Sequence, residues 1–276
     1  MRPLSRTPRF LTGFVAALLL GLVACGAADA QSIDSKVAAV GDGTAVVEFP
    51  VREDVCGNGA GMIRTGPGDH VRFRGSSDAW SDRCVPGPGR LVIRVREGRV
   101  IDLDPRVGGA SLADLQGIED PARVVDLGSG EAGEIAGWLL DLARRSPGDP
   151  GEDAVFALTL IRDVEPWEDL VSIARDEAVR GDTREDATFW LAHAAGEKVA
   201  GDLEELADDE AVDLEVREAA VFALSELDDE ERAVASLMKV YRESEEPRIR
   251  RKALFWLGDS GDPRALALFE EILLEE

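Results

Sequence analysis

A motif that recurs every 33 residues in the C-terminal half constrains the fold of this chain most strongly. Alanine, phenylalanine and leucine return at unchanged spacing in four segments, 154–158, 187–191, 220–224 and 253–257. A fixed period of this length is typical of a solenoid, in which each unit buries its apolar face only against its neighbours. The sequence therefore predicts about four repeat units over residues 150–276, an architecture that favours binding over chemistry.

Each unit is predicted to contain two helices joined by a short turn. Apolar residues of the third unit recur at helical spacing, and the second helices are predicted near 167–175, 199–207, 231–241 and 264–274. Each of these follows one member of an aligned column of N-cap residues, Asp163, Gly196, Asp229 and Asp262. The core of the repeats is predicted from two further columns, which are Phe156, Phe189, Phe222 and Phe255, and Leu158, Leu191, Leu224 and Leu257.

The charge of the chain is strongly negative and unevenly distributed. The net charge is −24, yet residues 1–30 carry +2 and residues 31–110 sum to zero, so residues 111–276 carry −26. This field repels nucleic acid and anionic membrane surfaces, and it favours a protein partner with a basic patch. An excess of acids that only solubilises a helical surface is the alternative interpretation.

The N-terminal segment, residues 1–30, has the pattern of a secretory signal peptide. Arg2, Arg6 and Arg9 precede an apolar run over 10–24 that is too short to span a membrane as a helix. Two processing sites compete: a small-residue cleavage site ending at Ala30, and a lipobox at 22–25 in which Cys25 would be lipidated. The first predicts a soluble periplasmic or extracellular protein, and the second predicts a membrane-tethered one.

Two cysteines remain after the signal, Cys56 and Cys84, and an even pair in an exported chain predicts one disulfide. It would close a loop of roughly 27 residues rich in Gly, Pro and Ser, with a stabilisation of about 3 kcal/mol. A redox or metal site is disfavoured because the spacing is not CxxC and the chain has only two histidines, His70 and His193.

The segment between the signal and the repeats predicts a small β domain over 31–110. Residues 44–52 have strand character, and the alternating runs 90–96 and 99–104 flank Glu97-Gly98, a strong hairpin pattern. Residues 111–149 are predicted to be a linker and a capping helix, the helix at 131–145. The predicted fold class is therefore α+β and multidomain, with a disulfide-stapled β module before an α-α solenoid.

The repeats resemble a known family. The runs RRKALFWLGDSGDPRAL at 250–266 and VREAAVFAL at 216–224 are similar to the short HEAT-like repeat, the type first named for phycobilisome-lyase proteins. The resemblance covers about residues 150–276. It implies an α-solenoid whose inner surface binds another protein.

Enzyme chemistry finds little support in the sequence. Neither histidine is followed by Glu, as a di-iron HEAT-repeat hydroxylase would require, and the Gly-rich run at 57–61 lacks the Lys-Ser/Thr of a P-loop. No Gly-x-Ser-x-Gly elbow precedes a helix. No catalytic, cofactor-binding or metal-binding residue is predicted, and Trp80 is the best candidate for an exposed aromatic contact.

These observations predict a non-catalytic protein–protein interaction adaptor or scaffold in the bacterial cell envelope, which binds through the acidic solenoid. Two alternatives stay open. One is an accessory enzyme, lyase-like or hydrolase-like, with its site in the loop between Cys56 and Cys84. The other is a structural envelope lipoprotein anchored through Cys25.

Overall fold

A computed structural model describes residues 32–59, 61–65, 70–73, 84–109, 124–191, 197–227 and 229–275. Residues Ser32–Glu276 group into one compact unit. In these ranges the elements are, in chain order, α1 (Ile33–Val40), β1 (Gly43–Phe49), β2 (Val55–Gly57), β3 (Met62–Thr65), β4 (His70–Phe73), β5 (Gly89–Arg96), β6 (Arg99–Val107), β7 (Val124–Ser129), α2 (Ala132–Arg145), α3 (Pro150–Thr159), α4 (Trp167–Arg175), α5 (Gly181–Leu191), α6 (Glu197–Asp208), α7 (Leu214–Ser225), α8 (Glu230–Glu243), α9 (Pro247–Ser260) and α10 (Pro263–Glu275).

The main sheet has four strands in the order β6-β5-β1-β7. The predicted hairpin is confirmed: β5 and β6 are antiparallel, and Arg96 pairs with Arg99 across the turn. Glu97 and Gly98 both have positive φ, 51° and 71°, which matches the turn to the right-handed twist of the strands. Strand β7 runs parallel to β1 and is not among the predicted elements, although it lies within the segment 111–149.

A second sheet, in the order β2-β3-β4, carries the disulfide. Cys56 in β2 is bonded to Cys84, and Gly57 exchanges backbone hydrogen bonds with Val85 beside this link. Gly57 has no room for a side chain, because a Cβ atom would lie 2.4 Å from the carbonyl oxygen of Val107. The second sheet is therefore held against the end of β6 by close backbone contact as well as by the covalent link.

The sheet and the helices are joined by backbone pairing. Val51 forms a bridge with Ile161, the Arg52 amide donates to the Leu160 carbonyl at 3.0 Å, and the Arg162 amide donates to the Pro50 carbonyl at 3.0 Å. One apolar cluster runs from α1 and the main sheet through the helices to α10. The predicted division into a β domain over 31–110, a linker with a capping helix over 111–149 and repeats over 150–276 stays a prediction, but the described residues share a continuous core.

The helices form two stacked rows, as an α-solenoid requires. Helices α3, α5, α7 and α9, here called the first helices, pack on one another in order, and α4, α6, α8 and α10, the second helices, do the same. The second helices begin and end within three residues of their predicted bounds. The fold class, a small disulfide-stapled β region before a helical solenoid, is thereby confirmed.

The two predicted core columns differ in burial. The four leucines, Leu158, Leu191, Leu224 and Leu257, have no exposed surface. The phenylalanines become more exposed along the solenoid: Phe156 is 1% exposed, Phe189 and Phe222 are half-buried, and Phe255 is 63% exposed. The prediction is wrong at Phe255 because a phenylalanine in this column is covered by the following unit, and no described helix follows α10.

Two of the four predicted N-cap residues, Asp229 and Asp262, are confirmed. Asp229 accepts a hydrogen bond from the Arg232 amide at 3.0 Å, and Asp262 accepts one from the Arg264 amide at 2.7 Å. Asp163 is not a cap: it has a φ of 59°, and α4 begins only after Pro166. The residue before a proline is disfavoured in a helix, so α4 starts late. Gly196 lies outside the described residues.

Candidate protein-binding surface

A row of carboxylates lies along the N-terminal halves of the first helices. It consists of two aligned columns, here called the acidic ridge, which are Asp149, Asp182 and Glu215, and Glu152, Glu185 and Glu218. In each unit the two acids are three residues apart, which puts them on one face of the helix. The column of Asp149 is exposed and the column of Glu152 is half-buried in all three units.

The charges of the ridge repel one another across unit boundaries. Burial raises the pKa of Glu152 above its ordinary value, and the charges of Asp149 and Asp182 raise it further. Burial likewise raises the pKa of Glu185, and Asp182 and Glu215 add to the effect. A raised carboxyl pKa means that the ionised form is disfavoured in the fold. A cation placed on the ridge would relieve this cost.

The fourth unit reverses the sign of the ridge. Arg248 and Arg251 occupy the columns that hold acids in the three units before it. Arg248 forms an ion pair with Glu218 at 2.6 Å, and Lys252 lies 4.0 Å from the same carboxylate. The acids of the first three units are therefore followed by basic residues in the fourth unit.

A third column explains how the ridge is held in place. Arg184 and Arg217 are buried, and their Nε atoms donate to the carbonyls of Ala174 and Ala207, each at 3.0 Å. These carbonyls lie near the C-terminal ends of α4 and α6, where the helix has no backbone donor for them. The repeated contact fixes α5 to α4 and α7 to α6.

The row of second helices carries a different, balanced cluster around Glu204. Its carboxylate accepts hydrogen bonds from Ser236 at 2.6 Å and Lys239 at 2.7 Å, and pairs with Arg232 at 3.1 Å. Burial alone raises the pKa of Glu204, but the contacts with Lys239 and Ser236 outweigh it and lower that pKa. Because Glu204 is fully paired, this cluster serves to join α6 to α8.

A cavity of about 440 Å³ lies between the last two units. Trp256 and four acids line it, together with small and apolar residues, and the acids are Glu226, Glu230, Asp259 and Asp262. The indole nitrogen of Trp256 is buried without a hydrogen-bond partner. Asp262 is already paired with Arg264 at 2.9 Å, which neutralises part of the lining.

The residues predicted from the sequence lie in several separate places. Trp190 is buried and Trp256 partly buried, so both pack within the repeats. Cys25 and its lipobox, Trp80 and His193 lie outside the described residues. The same is true of most of the loop between Cys56 and Cys84, so the alternative of an enzyme site there stays a prediction. His70 lies in β4.

The described ranges contain no group of His, Cys, Asp or Glu side chains arranged to hold a metal ion. Within the same ranges, no helix combines the length and apolarity needed to cross a membrane.

The geometry defines the class of protein: an α-solenoid of paired helices, joined through its first units to a disulfide-linked β region. Comparison with known families gives the repeat type, because residues 202–276 match the family of HEAT repeats. No curated protein matches the chain. HEAT repeats are generally interaction or scaffold modules and are usually non-catalytic.

Sequence reasoning missed the acidic ridge and the arginine column. Both follow from the 33-residue period once polar as well as apolar residues are aligned. In the first unit, Gly151 stands where the next three units have arginine, and a Cβ atom there would lie 2.8 Å from the Thr183 hydroxyl. The first unit therefore joins its neighbour without the arginine contact.

Proposed function

We propose that this protein is a non-catalytic interaction adaptor whose acidic ridge binds a basic segment of a partner protein. The observation that carries the proposal is the ridge itself: six carboxylates in two columns, repeated at a fixed spacing on neighbouring helices. Acids in the first turn of a helix are stabilised by the helix dipole, and this effect accounts for the presence of one acid in each unit. It does not explain the half-buried second column, where burial and neighbouring acids raise the pKa of Glu152 and Glu185.

The location belongs to the same proposal. A disulfide between Cys56 and Cys84 is compatible with an oxidising compartment. Together with the signal pattern of residues 1–30, it supports an adaptor in the bacterial cell envelope. Release after Ala30 and tethering through Cys25 both fit this location.

The test is affinity capture from envelope extract with three baits. The first is the wild-type protein, and the second neutralises the ridge with Asp182→Asn, Glu185→Gln and Glu215→Gln. The third removes the same charge elsewhere, at exposed acids outside the ridge, with Asp141→Asn, Glu177→Gln and Glu210→Gln. We expect a specific protein on the wild-type and control baits at low salt and its loss from the ridge variant.

High salt should release the same protein from the wild-type bait. The screening length is about 8–10 Å at physiological ionic strength and becomes shorter at higher salt, so attraction between exposed charges weakens. Equal retention by the ridge variant and the control would refute the ridge as the binding surface. Absence of any specific protein would contradict the adaptor and direct attention to ligands of the β module.

A further inference from the structure

The first helix of the fourth unit, α9, exposes a stripe of residues that no described residue covers. Arg248, Arg251, Phe255, Gly258 and Asp259 follow helical spacing and are all exposed, and we call them the α9 stripe. Phe255, in the middle of the stripe, is the most exposed of the four aligned phenylalanines. A large aromatic ring that is 63% exposed between charged residues is an unfavourable arrangement in water and requires an explanation.

The preceding units show what normally covers this position. The rings of Phe189 and Phe222 stack with their centroids 5.7 Å apart, and Phe222 contacts Trp256 with centroids 4.9 Å apart. Each phenylalanine in this row thus receives an aromatic ring from the following unit. Phe255 contacts only its neighbour Trp256 on α9, at 4.9 Å, among the aromatic contacts of the described residues.

The charges of the stripe are arranged symmetrically about Phe255. Arg251 lies four residues before it and Asp259 four residues after it. Neither forms an ion pair within the described residues. They cannot pair with each other, because eight residues of helix separate them by about 12 Å.

We propose that the α9 stripe binds a second copy of this chain, with the two α9 helices antiparallel about a two-fold axis at Phe255. This arrangement stacks Phe255 on Phe255 of the second copy. It also places Arg251 opposite Asp259 of the second copy, and the symmetry forms this ion pair twice. Gly258 has no side chain, and the second helix can approach closely there.

The adjacent helix extends the apolar part of this surface. Phe269 of α10 lies beside Gly258, since a Cβ atom at Gly258 would be 3.6 Å from its ring. Leu266 and Leu273 share the helix face of Phe269 by their spacing and are 60% and 73% exposed.

The N-terminal side of the solenoid, at α3, restricts how two copies of the chain can associate. There α3 packs against β6 of the main sheet, and α2 packs against α1. In the described part of the chain this end of the solenoid is covered, so a second copy cannot stack on it head to tail. An isologous contact through the α9 stripe closes as a dimer instead of a filament.

The experiment is sedimentation equilibrium of the purified full chain and its charge-swap variants. We expect a dimer for the wild type. Phe255→Glu should raise the dimer dissociation constant by roughly 30-fold or more, as expected for a central contact residue. Arg251→Glu and Asp259→Arg should each weaken the dimer, whereas the double variant should restore it, because the swapped charges pair again across the axis.

Arg242→Glu on α8 is the matched control, since it makes the same charge change at an exposed position outside the stripe and should leave the dimer intact. A monomer at every concentration would overturn the proposal. So would a dimer that ignores Phe255→Glu, or a double variant as weak as the single ones. The test uses the purified protein alone, so its outcome is independent of the partner proposed for the acidic ridge.

Discussion

Individual side chains in the solenoid fall into two groups with opposite effects on stability. Arg184, Arg217 and Glu204 are buried and form hydrogen bonds with carbonyls or with side chains of opposite charge. Glu152 and Glu185 are half-buried, and burial together with neighbouring acids raises their pKa. The first group holds the helices together, and the second reduces the stability of the fold at neutral pH.

Replacing Glu185 with Gln should therefore stabilise the protein. The folded-state pKa of Glu185 is raised, so its ionisation opposes folding at neutral pH, and this penalty disappears as pH falls toward the ordinary value of 4.5. We expect a gain of about 0.5 kcal/mol at pH 7 in urea unfolding, because partly exposed charges interact weakly. The gain should vanish near pH 4. A loss of stability at pH 7 would contradict repulsion among the ridge carboxylates.

Replacing Arg217 with Ala should have the opposite effect. Arg217 is 7% exposed, and its loss leaves the Ala207 carbonyl without its donor and removes the packing of a long side chain. We expect a loss of about 2–3 kcal/mol in the free energy of unfolding. Arg242→Ala, at an exposed position of α8, is the control and should cost only a few tenths of a kcal/mol. Similar losses for both variants would show that the buried contact contributes little.

At the scale of elements, the 33-residue period carries most of the predictive power. It relates α8 and α10, which begin 33 residues apart at Glu230 and Pro263, because each unit repeats the same helix pair, whereas α4 begins later in its unit, at Trp167. It does not predict the exposure of Phe255, since burial in a solenoid depends on whether a further unit follows. Strand β7 gives no alternating pattern because most of its residues are exposed or half-buried at the sheet edge.

The acidic ridge was predictable only in part. The total charge of residues 111–276 indicates an anionic surface, but not which acids lie together. Aligning the polar residues at the 33-residue period puts Asp182 and Glu215 in one column and Glu185 and Glu218 in another. Repulsion between such columns depends on burial and on packing between neighbouring helices, which a single sequence does not show.

The second sheet should depend on its covalent link. Cys56 and Cys84 are separated by 28 positions, and its strands β2, β3 and β4 are short. Replacing both cysteines with Ser should lower the free energy of unfolding by about 3 kcal/mol, on the chain-entropy estimate for a loop of this length. A reductant should lower the stability of the wild type similarly and leave the double variant unchanged. Equal stability of the wild type and the double variant would contradict this.

At the scale of the whole molecule, the sheet and the solenoid share one core. The pairing of residues 50–52 with 160–162 extends the backbone contacts of the β region into the end of α3. Ile161, in the middle of this junction, is fully buried. A structure connected in this way is expected to unfold as one cooperative unit.

We therefore expect a single unfolding transition in urea. Two tryptophans can report on it from distant places, Trp138 in α2 near the sheet and Trp256 in the last unit. Variants that keep only one of these two tryptophans as the reporter, with the others replaced by Phe, should show the same midpoint by fluorescence. Two separate midpoints would show that the β region and the last unit unfold independently.

The reversal of charge in the fourth unit gives the solenoid a direction. Neighbouring packed helices lie about 8–10 Å apart, which is the length of roughly three residues of extended chain. An extended segment with a basic residue at every third position would meet Asp149, Asp182 and Glu215 in turn, and then Arg248. The residue of the segment that meets Arg248 must therefore be acidic. If the segment were bound in the reverse direction, its acidic residue would meet Asp149 and a basic residue would meet Arg248. Under the proposed function, the order of the units selects the orientation of the bound segment as well as its charge.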